Sequence, residues 1–120
     1  MMEVLLLVGL GALGALGRFL VDSAVSARWP GDFPSGTLVV NLSGGFALGV
    51  LVGVGVAGDV MPVLGVGLLG AYTTFSTWMF EAERLAEGGE WQLMWLNLAG
   101  PMVAGIGATA AGWLAGGALA

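Results

Sequence analysis

Four long apolar stretches, separated by short polar ones, account for nearly all of the 120 residues. They extend over about 4–25, 35–56, 60–85 and 91–119. Each is close to or longer than the roughly 20 apolar residues that a helix needs to cross the core of a bilayer. The pattern predicts an all-α membrane protein with four transmembrane helices in a single domain, residues 1–120.

The third stretch is interrupted near its middle by small and hydroxyl-bearing residues. From Gly70 to Glu81 it reads Gly-Ala-Tyr-Thr-Thr-Phe-Ser-Thr-Trp-Met-Phe-Glu. Consecutive threonines offer the backbone local hydrogen bonds that compete with those of the helix. Non-helical backbone at bilayer depth is tolerated only where protein buries it or where it lines a wet cavity. We therefore predict a third helix that is broken near 70–74, with an ion or substrate site at the break.

Small residues recur at every fourth position in the second and fourth stretches, so they lie along one face of each helix. The two sets are Thr37, Asn41, Gly45, Gly49 and Gly53, and Ala104, Ala108, Gly112 and Gly116. In membrane helices such faces allow backbones to approach closely. They predict tight helix–helix contacts, and the amide of Asn41 suggests that the second helix lines a narrow polar passage.

The composition excludes several classes of function. The chain has no cysteine and no histidine, so it has no disulfide, no thiolate metal site and no imidazole base, and an enzyme is not expected. A net charge of −5 with only three arginines disfavours a nucleic-acid partner. Arg28 and Arg84 lie at one end of the predicted bundle, with Arg18 deeper. This bias is small, so it would also let the chain insert in both orientations.

The polar residues within the stretches admit two interpretations. Asn41 either joins two helices through a hydrogen bond or lines a pore as a donor. Arg18 either extends to the interface or supplies positive potential at an aqueous vestibule. Glu81 with Arg84, three residues on, is either an interfacial pair or part of the site.

Phe75 and Trp78 lie three residues apart and share a helix face. Aromatic residues in a spanning helix most often pack against lipid or a neighbouring helix. The edge of an aromatic ring, however, carries partial positive charge. Ring edges at a pore would attract an anion without binding it too tightly.

Three motifs together resemble the Fluc (CrcB) family of bacterial fluoride channels. They are Gly14–Phe19 (Gly-Ala-Leu-Gly-Arg-Phe), Gly36–Asn41 (Gly-Thr-Leu-Val-Val-Asn) and Gly70–Glu81, the last similar to the family's Gly-x-x-Thr-Thr-Phe-Ser-Thr-Phe…Glu signature. The resemblance implies a multi-pass protein of the bacterial inner membrane that exports fluoride passively and relieves its toxicity. It further implies an antiparallel, dual-topology homodimer with two pores. A heterodimer with a related chain stays open.

The resemblance also implies roles for individual residues. A structural sodium ion at the dimer centre would be bound by the backbone carbonyls of Gly70 and Thr73 from each subunit. Arg18 would belong to the vestibule, and Glu81 would match the family's carboxylate. The ion pore would be lined by Asn41, Phe75, Ser76, Thr77 and Trp78.

This chain departs from the family at two places. Trp78 stands where the family usually has a second phenylalanine. Where relatives often carry tyrosine and serine on the fourth helix, this chain has Asn97, Pro101 and Gly105. The larger indole with its N–H donor, and a less polar fourth helix, should alter the pore there.

The main alternative is a small multidrug-resistance transporter, which is also a four-span, dual-topology dimer. Such a transporter needs a carboxylate deep in its first span to couple protons to drug export. Here the carboxylates of that span lie towards its ends, Glu3 at one edge and Asp22 near the other. A non-transporting assembly subunit is a further alternative, but it would leave Asn41 and the threonine pair unexplained.

Overall fold

The computed structural model describes residues 1–55 and 61–119, except for the side chains of residues 62 and 66, and this part of the chain is helical with short connections. The helices are α1 (Met2–Arg28), α2 (Ser35–Val54), a π-helical segment (Pro62–Leu69), α3 (Gly70–Tyr72), α4 (Ser76–Glu87) and α5 (Trp91–Leu119). The predicted end of the second stretch at 56 and start of the third at 60 lie outside the described residues.

Four helical stretches are long and apolar enough to cross a membrane, as predicted: Met2–Arg28, Ser35–Val54, Val63–Glu87 and Trp91–Leu119. Many of their large apolar side chains are on the outside of the chain; Val8 is 67% exposed and Ile106 is 71% exposed. Helices that are apolar on all sides are typical of a membrane interior. The four-helix membrane architecture is therefore confirmed.

Glycines bring α2 and α5 into close contact. Gly49 and Gly53 of α2 lie against backbone atoms of Thr109 and Trp113. In return, Gly112 of α5 lies against the carbonyl of Phe46, and Gly116 likewise meets Val50. A side chain at any of these glycines would collide with the opposing backbone. The tight contact predicted from the four-residue spacing is confirmed, and it joins the second and fourth spans.

The third span changes conformation near its middle. Helix α3 ends at Tyr72, and Thr73 is extended, with φ −78° and ψ 160°. The amide and the hydroxyl of Thr73 both donate to the carbonyl of Leu69, each at 3.0 Å, which closes the preceding turn. Helical structure resumes at Ser76.

Two further glycines let the neighbouring helices reach this part of the third span. Gly14 of α1 lies against the carbonyl of Leu68, and Gly44 of α2 lies against the methyl group of Thr73. A larger residue at either position would push its helix away. The extended backbone therefore lies beside α1 and α2, and α2 brings polar side chains to it.

Candidate functional site

The carboxamide of Asn41 pairs with the backbone of Thr74. Its Nδ2 donates to the Thr74 carbonyl at 3.0 Å, and its Oδ1 accepts from the Thr74 amide at 2.9 Å. In a continuous helix the Thr74 amide would donate to Gly70, and its carbonyl would accept from Trp78. A side chain of α2 thus replaces the helical partners of Thr74. Asn41 joins two helices, as one interpretation of the sequence expected, and it also lines the cavity described below.

The hydroxyl of Thr74 stabilises the start of α4. It accepts a hydrogen bond from the Thr77 amide at 3.3 Å and donates to the Thr77 hydroxyl at 3.2 Å. A threonine oxygen that binds an amide of the first turn is a common helix cap. In a continuous helix the Thr77 amide would instead donate to the carbonyl of Thr73.

Because these two amides bond to side chains, the carbonyl groups of Gly70 and Thr73 lose the donors that a regular helix would give them. The Thr74 amide, which would donate to the Gly70 carbonyl, donates to Asn41. The Thr77 amide, which would donate to the Thr73 carbonyl, donates to the Thr74 hydroxyl. Gly70 is exposed on the surface of the chain, and Thr73 is half-buried. Carbonyl oxygens released from a helix in this way are suitable cation ligands. The residues present therefore fit a site for a cation that prefers oxygen.

An open cavity of about 370 Å³ adjoins the interruption. Its lining includes Asn41, Gly70, Thr73, Phe75 and Trp78. The rings of Phe75 and Trp78 meet edge to face, with centroids 5.7 Å apart and planes at 85°. The structure thus places the amide, the two carbonyl-bearing residues and both aromatic residues around one space.

The indole N–H of Trp78 points to the fourth span. It donates to the backbone carbonyl of Asn97 in α5. The amide of the Asn97 side chain donates in return to the Trp78 carbonyl at 3.4 Å. The additional donor that tryptophan brings is therefore bonded to protein.

A smaller cavity of about 160 Å³ lies near the start of α4. Arg18 lines it together with the hydroxyl-bearing residues Thr37, Thr74 and Thr77. Asp22, one turn along α1, also lines it and accepts a hydrogen bond from Ser26 at 3.3 Å. The Arg18 guanidinium brings a positive charge to this cavity, the Asp22 carboxylate offsets part of it, and the threonine hydroxyl groups are neutral donors that suit an anion.

Glu81 pairs with Thr37 across helices. The Thr37 hydroxyl, which is only 3% exposed, donates to the Glu81 carboxylate. Glu81 also lines a wider cleft of about 540 Å³ with Arg84 and the α1–α2 loop. The carboxylate thus lies between the inner hydroxyl groups and a polar opening.

The predicted site residues fall into two groups. Gly70, Thr73, Asn41, Phe75 and Trp78 surround the larger cavity, while Arg18 and Thr77 line the smaller one. Thr74 lines both cavities and so lies between them. Ser76 is exposed and, within the described residues, lines neither cavity.

Three residues of the site were not among the predicted ones: Thr37, Thr74 and Asn97. The threonine pair signalled the interruption, but the sequence did not show that Thr74 bonds both Asn41 and Thr77. Thr37 lies on the same face as Asn41, four residues earlier, which was the available signal. Asn97 is the only amide deep in α5, and it is buried behind Trp78.

These features define a class of protein: a four-span membrane protein with a polar site at an interruption of its third span. A family model described as "CrcB-like protein, Camphor Resistance (CrcB)" matches residues 5–113. The chain therefore belongs to the CrcB family, as the three motifs predicted.

Named relatives are similar over most of their length. "Fluoride-specific ion channel FluC 2" of Mycobacterium tuberculosis (strain CDC 1551 / Oshkosh) is 42% identical over 107 residues, which cover 88% of this chain and 85% of that protein. "Fluoride-specific ion channel FluC 1" of Leifsonia xyli subsp. xyli is 38% identical over 115 residues, covering 92% and 84%. A FluC 2 of Haloarcula marismortui is 42% identical over 103 residues, covering 86% and 84%.

Proposed function

We propose that this chain forms a fluoride-selective ion channel through which fluoride crosses the membrane passively. The observation that carries the proposal is the joining of Asn41, Thr74 and Thr77 at the interruption, beside a pair of aromatic rings. It occurs in a chain about 40% identical to proteins named fluoride-specific ion channels. The CrcB family is a family of channels and not of enzymes.

The site meets the physical demands of this anion. Moving a bare ion into a medium of low dielectric costs tens of kcal/mol by Born estimates. A channel must replace much of the hydration shell and still bind weakly enough for release. An amide has two N–H donors, and Asn41 uses one on Thr74, so the second can serve an anion. Ser76 and Thr77 add hydroxyl groups, and Phe75 and Trp78 add ring edges.

The charged residues would act beside the smaller cavity, at the approach to this path. Arg18 lines the smaller cavity, where a positive charge raises the local concentration of anions. Glu81 is hydrogen-bonded to Thr37, so it would hold that hydroxyl group in place beside the path. Arg18 and Glu81 would therefore act where the anion enters the path and not at the narrowest part of the pore.

We further propose that the third span acts as a broken helix that binds sodium between two antiparallel subunits. The carbonyls of Gly70 and Thr73 from each subunit would hold the ion, because their helical donors are redirected to side chains. Bound sodium would offset the partial negative charges of these oxygens and link the subunits. Gly70 and Phe75 are exposed on one subunit, which leaves them accessible to a partner.

Sodium should stabilise the dimer. We expect the purified protein to behave as a dimer whose melting temperature falls by several degrees when sodium is replaced by N-methylglucamine at equal ionic strength, because a ligand that binds only the folded state stabilises it. Lithium and potassium serve as controls for ion specificity. A melting temperature and a dimer fraction that are the same in all four salts would argue against the sodium site.

The small arginine bias would allow either orientation of the chain in the membrane. We propose that the chain inserts both ways into a bacterial cell membrane and that fluoride leaves the cell through it. The chain has no cysteine, so single cysteines introduced at Asp32 and at Gly117 can be labelled from each side without background. Labelling of each position from one side only would exclude dual topology.

The direct test of the channel is ion efflux from liposomes that contain the purified protein. With valinomycin and a potassium gradient, we expect rapid release of fluoride and no release of chloride above that of empty liposomes. Equal release of both anions would contradict selectivity, and no release of fluoride would contradict the channel unless a related second chain restored it. Proton-coupled drug movement, which would identify a multidrug transporter, is not favoured because the first span has no deep carboxylate.

A further inference from the structure

Pro101 leaves a backbone carbonyl of α5 without its usual donor. In an α-helix the carbonyl of residue i accepts from the amide of residue i+4. The residue four positions after Asn97 is Pro101, which has no amide hydrogen. Asn97 is only 1% exposed, so water has little access to its carbonyl. A buried carbonyl without a partner is costly, so a donor from another helix is needed here.

Trp78 supplies that donor. Its indole Nε1 donates to the Asn97 carbonyl, and the Asn97 side chain donates back to the carbonyl of Trp78 at 3.4 Å. A phenylalanine at position 78 would fill much of the same space but would leave the carbonyl unpaired. The two departures of this chain from its family are therefore linked: Trp78 provides the donor that Pro101 removes.

The indole that makes this bond also contacts the ring of Phe75. The two rings are 5.7 Å apart and nearly perpendicular, an arrangement that aromatic pairs prefer. Phe75 is 69% exposed on the subunit, so few other contacts within the chain orient its ring. A rotation of the indole would change the direction in which the Phe75 edge points.

We propose that Pro101, Asn97 and Trp78 form an orienting unit that fixes the ring of Phe75 at the anion path. Pro101 frees the carbonyl, Asn97 presents it and Trp78 binds it. Pro101 and Asn97 are positioning residues that act through Trp78. The indole N–H stays bonded to α5, so the larger cavity presents ring edges rather than a strong donor that would retain the anion. The effect on conduction rests on the proposed fluoride channel; the bond itself does not.

A double-mutant cycle tests this unit. The variants are Trp78→Phe, Pro101→Ala and the double variant, with Trp95→Phe as the matched control because Trp95 is also a membrane-span tryptophan and is 64% exposed. Fluoride efflux is measured from liposomes, and dimer content is checked by size-exclusion chromatography. Hydrogen exchange of the tryptophan indoles is followed by NMR. The chain has five tryptophans, and the signal that disappears in Trp78→Phe belongs to Trp78.

We expect Trp78→Phe to lower fluoride efflux about threefold, consistent with loss of one neutral hydrogen bond. In the Pro101→Ala background the same substitution should have little effect, because the new alanine has a backbone amide that pairs with the Asn97 carbonyl. In wild type the Trp78 indole should exchange at least roughly tenfold more slowly than that of Trp95, and Pro101→Ala alone should reduce this protection because two donors compete for one carbonyl.

An equal effect of Trp78→Phe in both backgrounds would overturn the proposal, since it would show that positions 78 and 101 act independently. A Trp78 indole that exchanges as fast as that of Trp95 would overturn it as well. If the wild type released no fluoride, the proposed channel would fail, and indole exchange would still decide whether the bond between Trp78 and Asn97 exists in the membrane protein.

Discussion

Asn41→Asp should reduce fluoride efflux from liposomes by roughly 100-fold or more. The substitution removes the Nδ2 donor that binds the Thr74 carbonyl at 3.0 Å. It also sets a carboxylate oxygen in the proposed anion path, where like charge costs several kcal/mol. A barrier raised by about 2.7 kcal/mol already slows a process 100-fold. The measurement is the initial rate of fluoride release, with dimer content checked by size-exclusion chromatography.

Two variants separate charge from position in this experiment. Asn41→Ala removes both bonds to Thr74 without adding charge, and we expect it to slow efflux by about tenfold, from the loss of buried hydrogen bonds. Ser43→Ala, two residues on, removes an exposed hydroxyl that bonds Tyr72, and its efflux should match wild type. Normal release by Asn41→Asp would exclude Asn41 from the path. Equal loss in the aspartate and alanine variants would show that the added charge is not the cause.

The helical architecture follows from simple features of the sequence. Long apolar stretches predict spans because a membrane has no water to satisfy an exposed backbone. Glycines at every fourth position predict close packing, and Gly49 and Gly112 do lie against opposing backbone. The threonine pair predicts competition with the helix; the backbone of Thr73 is extended. Each of these inferences depends only on residues near one another in the chain.

The partners of the polar side chains could not be predicted in this way. Glu81 was expected either to pair with Arg84, three residues on, or to belong to the site, and its carboxylate accepts from Thr37, 44 residues away. Asn41 was expected to face another helix or a pore, and it binds the backbone of Thr74, 33 residues away. The spacing of residues along a helix shows which face a side chain occupies. Its hydrogen-bond partner depends on how that helix is rotated against its neighbours.

The consequence of Trp78 also required the structure. From the sequence, its indole N–H was an additional donor that put the pore geometry in question. In the fold this donor binds the carbonyl that Pro101 leaves unpaired. Proline was recognised in the fourth stretch, but the sequence does not show which side chain from another helix reaches the freed carbonyl. Trp78 and Pro101 are separate departures from the family pattern in the sequence. Only the packing of α4 against α5 shows that they belong to one interaction.

Phe75→Ile should lower fluoride efflux by about three- to tenfold and leave the proposed dimer folded. Isoleucine keeps an apolar side chain but has no ring edge, and the loss of such an aromatic contact is worth about 0.5–1.5 kcal/mol. Phe75 is 69% exposed on the subunit, so the substitution removes little packing within the chain. The rate of fluoride release is compared with wild type in the same lipid, and the melting temperature is measured alongside.

Phe80→Ile is the matched control, because Phe80 lies further along the third span, is 58% exposed and lines neither cavity among the described residues. It should release fluoride at the wild-type rate. Equal loss in both variants would point to a general effect of phenylalanine in this span rather than to the ring edge at the path. Unchanged efflux in Phe75→Ile would contradict an electrostatic role for its ring. The polar groups of Asn41, Thr74 and Thr77 would then have to replace the hydration of fluoride without it.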